Sequence, residues 1–230
     1  METTVQYFAK PMKALQTKNF DPHHYSRQWD LTNYYTVRYS KDMNNRETIL
    51  ENALVLFASF GYDATGVQEI CEQSGITKPT LYHYFRSKRG LMEALLAENY
   101  TPYIKRLKDA CEYRRDLPQN IAEVLRSTFH FADNNLLFYK LQFSMRNAPA
   151  RGEAYDIIKP WIKAQHDPVF SLFTAAENDH GNMRGRAQAY TITLLGMANA
   201  YIQQAFEENA ALNADLAYQA RQQFMYGIFS

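Results

Sequence analysis

Cysteine is scarce in this sequence of 230 residues, which has only Cys71 and Cys111, each inside a helical pattern. So few cysteines cannot build the disulfide framework of a secreted domain, and a reducing cytoplasm is favoured. We predict two buried structural thiols, with a redox switch as the alternative. The chain also lacks an apolar run near the roughly 18 residues of a membrane span, and residues 1–4 lack the basic start of a secretory signal. The sequence therefore predicts a cytoplasmic protein with no membrane segment.

Signatures of catalysis and of metal binding are also missing. Neither a glycine-rich phosphate loop nor a nucleophile elbow occurs in the sequence. The cysteines and the histidines form no metal-ligand spacing; the histidines are His23, His24, His83, His130, His166 and His180. We therefore predict that the protein is not an enzyme and that it needs no metal and no cofactor. The alternative, an all-α catalytic domain, needs a convergent set of titratable groups that the sequence does not show.

Strand-like alternation is absent, and helical periodicity takes its place from residue 45 onward. Asn44 and Glu47 have the spacing of a capping box, and Gly61 follows the last apolar residue of this first helix. Thr65 is predicted to cap a second helix, and Thr77 a third, with a Ser-Gly turn between them. These three short elements have the layout of a helix-turn-helix.

The remaining sequence is helical in longer stretches, so the fold class is predicted to be all-α. Pro102, Pro160 and Pro168 fall inside periodic stretches and are predicted to kink or break them. The longer helices are predicted over residues 87–113, 118–132, 135–147, 152–177, 184–208 and 213–228.

The net charge of the chain is only +1, but positive charge is concentrated in one short segment. Residues 77–89 contain no aspartate or glutamate, and their cations are Lys78, Arg86, Lys88 and Arg89. Leu81 and Phe85 lie four residues apart and are predicted to face inward, which leaves a polar and aromatic outer face. A local basic face is sufficient for phosphate contacts whatever the charge of the whole chain. The segment therefore predicts a helix that contacts DNA.

The run from Arg46 to Leu95 resembles the DNA-binding domain of the TetR family of bacterial transcription regulators. Its Leu-Tyr-His-Tyr-Phe string, the Gly-Ile-Thr before it and Lys88 after it carry the resemblance. The resemblance implies DNA contacts by Thr65, Thr77, Lys78, Pro79, Thr80, Tyr82, His83, Tyr84 and Lys88. The chain departs from the family pattern at Gly66, where a small hydroxyl residue is common, and in its long leader.

These observations divide the chain into three parts. Residues 1–44 are predicted to be a partly disordered extension, which is either a flexible leader or a basic arm that reaches a minor groove. Residues 45–90 are predicted to be the helix-turn-helix domain, and residues 91–230 a helical domain for ligand binding and dimerisation. The last two long helices are apolar and contain Gly196, Ala198 and Ala200, which permit close helix approach. The resemblance implies a homodimer through these helices, and we predict that this dimer binds a pseudo-palindromic double-stranded DNA operator.

Residues 100–180 are rich in aromatic side chains with scattered polar groups. The resemblance implies that this region binds a small-molecule inducer, and its composition favours a largely apolar or aromatic one. The candidate ligand contacts are His130, Asn134, Phe138, Gln142, Phe143, Trp161, His166 and Phe170. We therefore predict a cytoplasmic, nucleoid-associated repressor. In the alternative, the helical body recruits a protein partner and binds no inducer.

Overall fold

A computed structural model describes residues 44–227, and in these residues the chain forms nine α-helices and no strand. The prediction of an all-α fold is confirmed. The helices are α1 (Asn45–Phe60), α2 (Val67–Ser74), α3 (Lys78–Phe85), α4 (Lys88–Ala110), α5 (Leu117–Asn134), α6 (Leu136–Arg146), α7 (Glu153–Ala176), α8 (Ala187–Glu208) and α9 (Ala214–Tyr226), with a 3₁₀ turn at Gly181–Met183. The extension predicted over residues 1–44 lies outside the described residues except for Asn44.

Helix α1 begins and ends where the sequence predicts. The side-chain oxygen of Asn44 accepts a hydrogen bond of 3.1 Å from the backbone N–H of Glu47. At the other end Gly61 has a φ of 85°, which favours glycine, and its N–H donates to the carbonyl of Phe57. Asn52 of α1 donates to the Gln73 carbonyl (3.4 Å) and so ties α1 to the end of α2.

The predicted cap of α2 is wrong. Gly66 occupies the N-cap position and no side chain caps the helix. The Thr65 hydroxyl donates instead to the backbone carbonyls of Gly61 (2.8 Å) and Leu56 (3.3 Å) and is buried. These hydrogen bonds tie the residue before the N-cap of α2 to the end of α1. Gly75 then turns the chain with a left-handed φ of 65°.

The long helices of the body continue through their prolines. Pro102 lies inside α4, and Pro160 and Pro168 lie inside α7, so none of the three ends a helix. A proline removes one backbone hydrogen bond, but contacts with neighbouring helices can hold a helix together across it. Helix α4 packs against α5 and α7, and α8 and α9 pack against α5 and against each other.

All described residues fall in a single compact unit, and the predicted boundary near residue 90 lies inside it. The headpiece, residues 45–87, contacts the body through α1 against α6 and through α3 against the start of α4. The core runs without interruption from Ile49 and Leu81 in the headpiece to Leu172 in the body. Among residues 44–227 no helix is long and apolar enough to cross a membrane.

Candidate DNA interface and ligand-binding region

Helix α3 has one buried face and one exposed face. Leu81 is fully buried and Phe85 is 5% exposed, so both side chains fix α3 to the headpiece core as predicted. Tyr82 and Tyr84 are 42% and 39% exposed, which is high for aromatic side chains in a small domain. His83 between them is also exposed and meets the Tyr84 ring edge-on at 5.4 Å. The outer face of α3 therefore presents rings and hydroxyls to the surroundings.

The start of α3 is open to a ligand of negative charge. Thr77 is at the N-cap position, but its hydroxyl is hydrogen-bonded to the hydroxyl of Thr80 (3.0 Å) and caps no backbone N–H. Lys78 and Pro79 are exposed in the first turn. Unsatisfied N–H groups and the helix dipole favour an anion at such an end, and DNA offers phosphates.

Some cations on this side of the headpiece are paired with carboxylates and others are not. Among the described residues neither Lys78 nor Arg86 has a carboxylate within ion-pair distance, whereas Arg89 is paired with Glu93 (2.8 Å) and approaches Glu153 (3.8 Å). Arg86 ends α3 with a φ of 67°, an unusual conformation for a residue with a side chain. Lys78 and Arg86 are therefore the cations free to contact phosphate.

Two of the predicted DNA contacts are placed differently by the structure. Thr65 is only 1% exposed and its hydroxyl is bonded inward, so its side chain cannot reach DNA without breaking both hydrogen bonds. Lys88 is half-buried, with its ammonium over the ring of Tyr62 at 4.3 Å and 3.4 Å from the Asp63 carbonyl. The remaining predicted contacts, from Thr77 to Tyr84, all lie on one helix and its N-cap.

Helices α8 and α9 each have one face that packs on the core and one face that is exposed. The residues of α8 that face the core of the same chain are Ala187, Thr191, Leu194, Ala198, Ile202 and Ala205. Ala198 therefore does not lie on the free surface, which corrects its predicted role, whereas Gly196 and Ala200 do. Ile192 is 60% exposed on that surface, and Tyr218 of α9 is 55% exposed.

Three of the predicted ligand contacts meet in the middle of the body. Phe138 is buried, and its ring meets that of Tyr100 edge-on at 5.0 Å. Trp161 stacks on Tyr100, with centroids 5.2 Å apart and an interplanar angle of 11°. Gln142 is buried and accepts the hydrogen bond of the Tyr100 hydroxyl. Phe143 is half-buried nearby on α6, against the ring of Tyr139 (5.2 Å).

The other four predicted ligand contacts lie at the surface. Asn134 and His130 are exposed and hydrogen-bonded to each other (3.1 Å). His166 is bonded to Gln188 of α8 (3.2 Å) and stacks on Phe170, which is 37% exposed. Asn134 with His130 and His166 with Phe170 form two pairs that do not directly contact the group around Tyr100, so the structure does not bring all the predicted ligand contacts together.

Two residues that sequence analysis did not single out complete the group around Tyr100. The guanidinium of Arg146 donates from Nη2 to Gln165 Oε1 (2.7 Å), which links the end of α6 to the middle of α7. Arg146 lies four residues after Gln142, so the helical spacing on α6 was the signal that could have found it. We name Tyr100, Gln142, Arg146, Trp161 and Gln165 the polar cluster.

Burial controls the ionisation of several groups in the body. It raises the pKa of Tyr100 to about 12, while the nearby Arg146 opposes the rise, so the phenol stays protonated and acts as a donor at neutral pH. Burial likewise raises the pKa of the Cys111 thiol to about 12 and raises the pKa of Cys71. Both cysteines are free and buried, in agreement with the prediction of structural thiols. No group of three or more potential metal ligands occurs within residues 44–227.

Known proteins resemble this chain in sequence and in fold. The family model for bacterial regulatory proteins of the tetR family matches residues 49–95. The transcriptional activator FasR of Mycolicibacterium smegmatis is 25% identical over 182 residues, which cover 79% of this chain and 81% of the relative. The fold is similar to that of the regulator FadR from Bacillus subtilis, solved in complex with stearoyl-CoA (TM-score 0.67, 18% identity, covering 79% of this chain and 98% of that one). It is also similar to a putative fatty acid metabolism regulator from Clostridium perfringens (TM-score 0.70, 18% identity, 79% and 98% covered).

A helix-turn-helix with an exposed recognition face, joined to a larger helical body, defines a DNA-binding transcriptional regulator. Residues 49–95, which span this helix-turn-helix and the start of α4, resemble the TetR family of these regulators.

Proposed function

We propose that the protein is a homodimeric repressor that leaves a pseudo-palindromic operator when its body binds a small, largely apolar or aromatic ligand. It acts in the cytoplasm, on the nucleoid. One observation carries this function: a single helix, α4, begins against the recognition helix and continues to Tyr100 in the polar cluster. Any ligand that moves Tyr100 acts on the element that supports the headpiece.

The DNA contacts that we propose are Thr77, Lys78, Pro79, Thr80, Tyr82, His83 and Tyr84, with Lys88 in a supporting position. The exposed rings and the open N-terminus of α3 favour these residues. Hydroxyl and imidazole groups fix the register on phosphates, whereas side chains near the start of the helix reach base edges. The buried Thr65 is not among the proposed contacts.

Two copies of the headpiece are needed to read a palindromic site, and α8 and α9 offer a surface for dimerisation. The exposed face of α8 has small residues at Gly196 and Ala200 and an apolar side chain at Ile192. A β-carbon added at Gly196 would meet no atom within 4 Å in the same chain, so this position is open to a partner helix. Dimerisation through this face sets two recognition helices about 34–36 Å apart, as successive major grooves require.

Ligand binding is coupled to DNA through the relative position of headpiece and body. The ligand favours one spacing of the two headpieces over the other, and operator affinity falls by the ratio of its affinities for the two states. A structure of the same fold holds stearoyl-CoA, which supports a ligand of large apolar area in this body.

The test starts with selection of DNA fragments by the purified protein, followed by measurement of operator affinity and stoichiometry. We expect a palindromic consensus bound by two subunits, and light scattering that gives a dimer in solution at micromolar concentration. A monomer, or a consensus without dyad symmetry, would overturn the proposal. Ligands that raise the melting temperature should also release the operator.

The sign of regulation is a separate question, because the relative FasR is named an activator. A reporter placed behind the selected operator, in cells with and without the protein, distinguishes the two directions. Higher expression without the protein supports repression, and lower expression supports activation.

A further inference from the structure

The polar cluster contains buried hydrogen-bond donors that the protein itself does not satisfy. Nε of Arg146 and Nε2 of Gln165 are both buried, and neither has an acceptor among residues 44–227. Gln165 as a whole is 6% exposed. A buried donor without an acceptor costs free energy, so such groups in a native protein usually mark the place of a partner.

The positive charge of Arg146 also has no counter-ion among the described residues. Its guanidinium donates to the neutral amide of Gln165 and interacts with the Tyr100 hydroxyl, and among the described residues it forms no ion pair with a carboxylate. A partly buried cation without a counter-ion is unfavourable, because desolvation is not repaid by attraction. The cluster therefore lacks one negative charge.

The surrounding side chains define the rest of the ligand. The Tyr100 ring contacts both Trp161 and Phe138, and Trp161 is half-buried, so apolar area continues from the cluster toward the surface. Such a mixture of aromatic area and a few fixed polar groups is typical of small-molecule sites.

We propose that the polar cluster binds the carboxylate of an apolar or aromatic monocarboxylic acid, with Arg146 and Gln165 as the donors and the Trp161–Tyr100 stack against its apolar part. The two unsatisfied N–H groups match the two oxygens of one carboxylate, and a single guanidinium matches its single charge. A phosphate monoester carries about −1.5 to −2 at neutral pH and would leave excess charge in this site. The inference rests on the ligand-responsive function proposed above and names the class of the ligand.

The experiment uses the full chain and two probe acids, decanoate and phenylbutanoate, each beside its neutral amide. Calorimetry and thermal shift in the millimolar range should show binding of at least one acid and much weaker binding of its amide. Arg146→Gln should weaken binding of that acid by roughly tenfold to a hundredfold and leave the weak affinity for the amide unchanged. Arg126→Gln, the same substitution at an exposed position of α5, should bind the acid like the wild type.

A second variant keeps the inference testable if Arg146→Gln does not fold. Gln165→Glu puts a carboxylate 2.7 Å from the guanidinium, where the amide oxygen now lies. This internal anion should raise the melting temperature of the free protein and abolish binding of the acids. Far-UV circular dichroism of each variant checks the fold.

Several results would overturn the inference: no binding of either acid, equal binding of acid and amide, tighter binding of decyl phosphate than of decanoate, or acid binding that survives Gln165→Glu. Operator release is measured separately. If an acid binds through Arg146 but does not release the operator, the site stands and the ligand-responsive function fails. If an uncharged ligand releases the operator and neither acid binds, the function stands and the carboxylate site fails.

Discussion

The hydroxyl of Tyr62 donates a hydrogen bond of 3.0 Å to Glu153 Oε2, and this bond joins the headpiece to the first residue of α7. Arg89 at the start of α4 approaches the other oxygen of the same carboxylate at 3.8 Å. Burial and the neighbouring Glu153 raise the pKa of Tyr62 well above its ordinary value, so the phenol remains the donor at neutral pH. Glu153 thus contacts both the headpiece, through Tyr62, and helix α4, through Arg89.

Tyr62→Phe should lower the free energy of unfolding by about 1–2 kcal/mol, because it removes a hydrogen bond to a charged acceptor in a partly buried place. It should also change operator affinity, since the headpiece loses a fixed contact with the body. Tyr113→Phe is the matched control: it removes a bond of the same kind, 2.9 Å to Asp179, at an exposed place within the body. Equal effects of the two variants on operator affinity would contradict this role of Tyr62. Denaturant unfolding and fluorescence anisotropy supply the two measurements.

Lys78→Ala should weaken operator binding at low salt and reduce the slope of log affinity against log salt by about 1, because one phosphate contact and its counterion release are lost. Lys105→Ala, at an exposed position of α4, should leave both quantities unchanged. A salt slope identical to that of the wild type would remove Lys78 from the interface.

Tyr82→Ala should also weaken operator binding without loss of stability, since the ring is 42% exposed and packs little in the free protein. Tyr82→Phe separates the two parts of the side chain. If the hydroxyl fixes a phosphate, Tyr82→Phe reproduces most of the loss; if ring contact dominates, Tyr82→Phe binds like the wild type. Tyr82→Ala with full operator affinity would show that the outer face of α3 is wrongly assigned.

Gly90→Ala should displace the recognition helix. A β-carbon at residue 90 would lie 2.1 Å from the backbone oxygen of Phe85, the last residue of α3, and neither backbone segment can yield without moving. Overpacking of this kind costs about 1–3 kcal/mol. Gly181→Ala is the control, because a β-carbon at that exposed position meets nothing within 4 Å. Operator affinity and the unfolding midpoint should both fall for Gly90→Ala and stay near the wild type for Gly181→Ala.

Ile192→Glu should shift the protein from dimer to monomer, because it places a charge on the exposed face of α8. Phe60→Glu makes a comparable change at a side chain that is 45% exposed at the end of α1, and it should leave the dimer intact. Sedimentation velocity over a range of concentrations measures both. A dimer of unchanged affinity for Ile192→Glu would exclude this face as the interface.

Helix bounds and the inner face of α3 followed from the sequence because they depend on local spacing, which Asn44, Leu81 and Phe85 supply. The role of Thr65 did not, because its hydroxyl has backbone carbonyls within reach on α1 that no sequence pattern reveals. The ligand region was predicted by composition, which identifies aromatic and polar residue types but not the direction of each side chain. His166 and Gln165 are neighbours in the chain, yet one lies at the surface and the other in the polar cluster.

The proline inside α4 has a mechanical consequence. Pro102 has no N–H to bond with the carbonyl of Glu98, so α4 bends more easily at this turn than anywhere else along its length. Tyr100 lies within that turn, while the stretch from Lys88 to Glu98 is an unbroken helical rod that ends at the headpiece. A bend of α4 at Pro102 would therefore shift the stretch from Lys88 to Glu98, and the recognition helix beside its start, relative to the rest of the body.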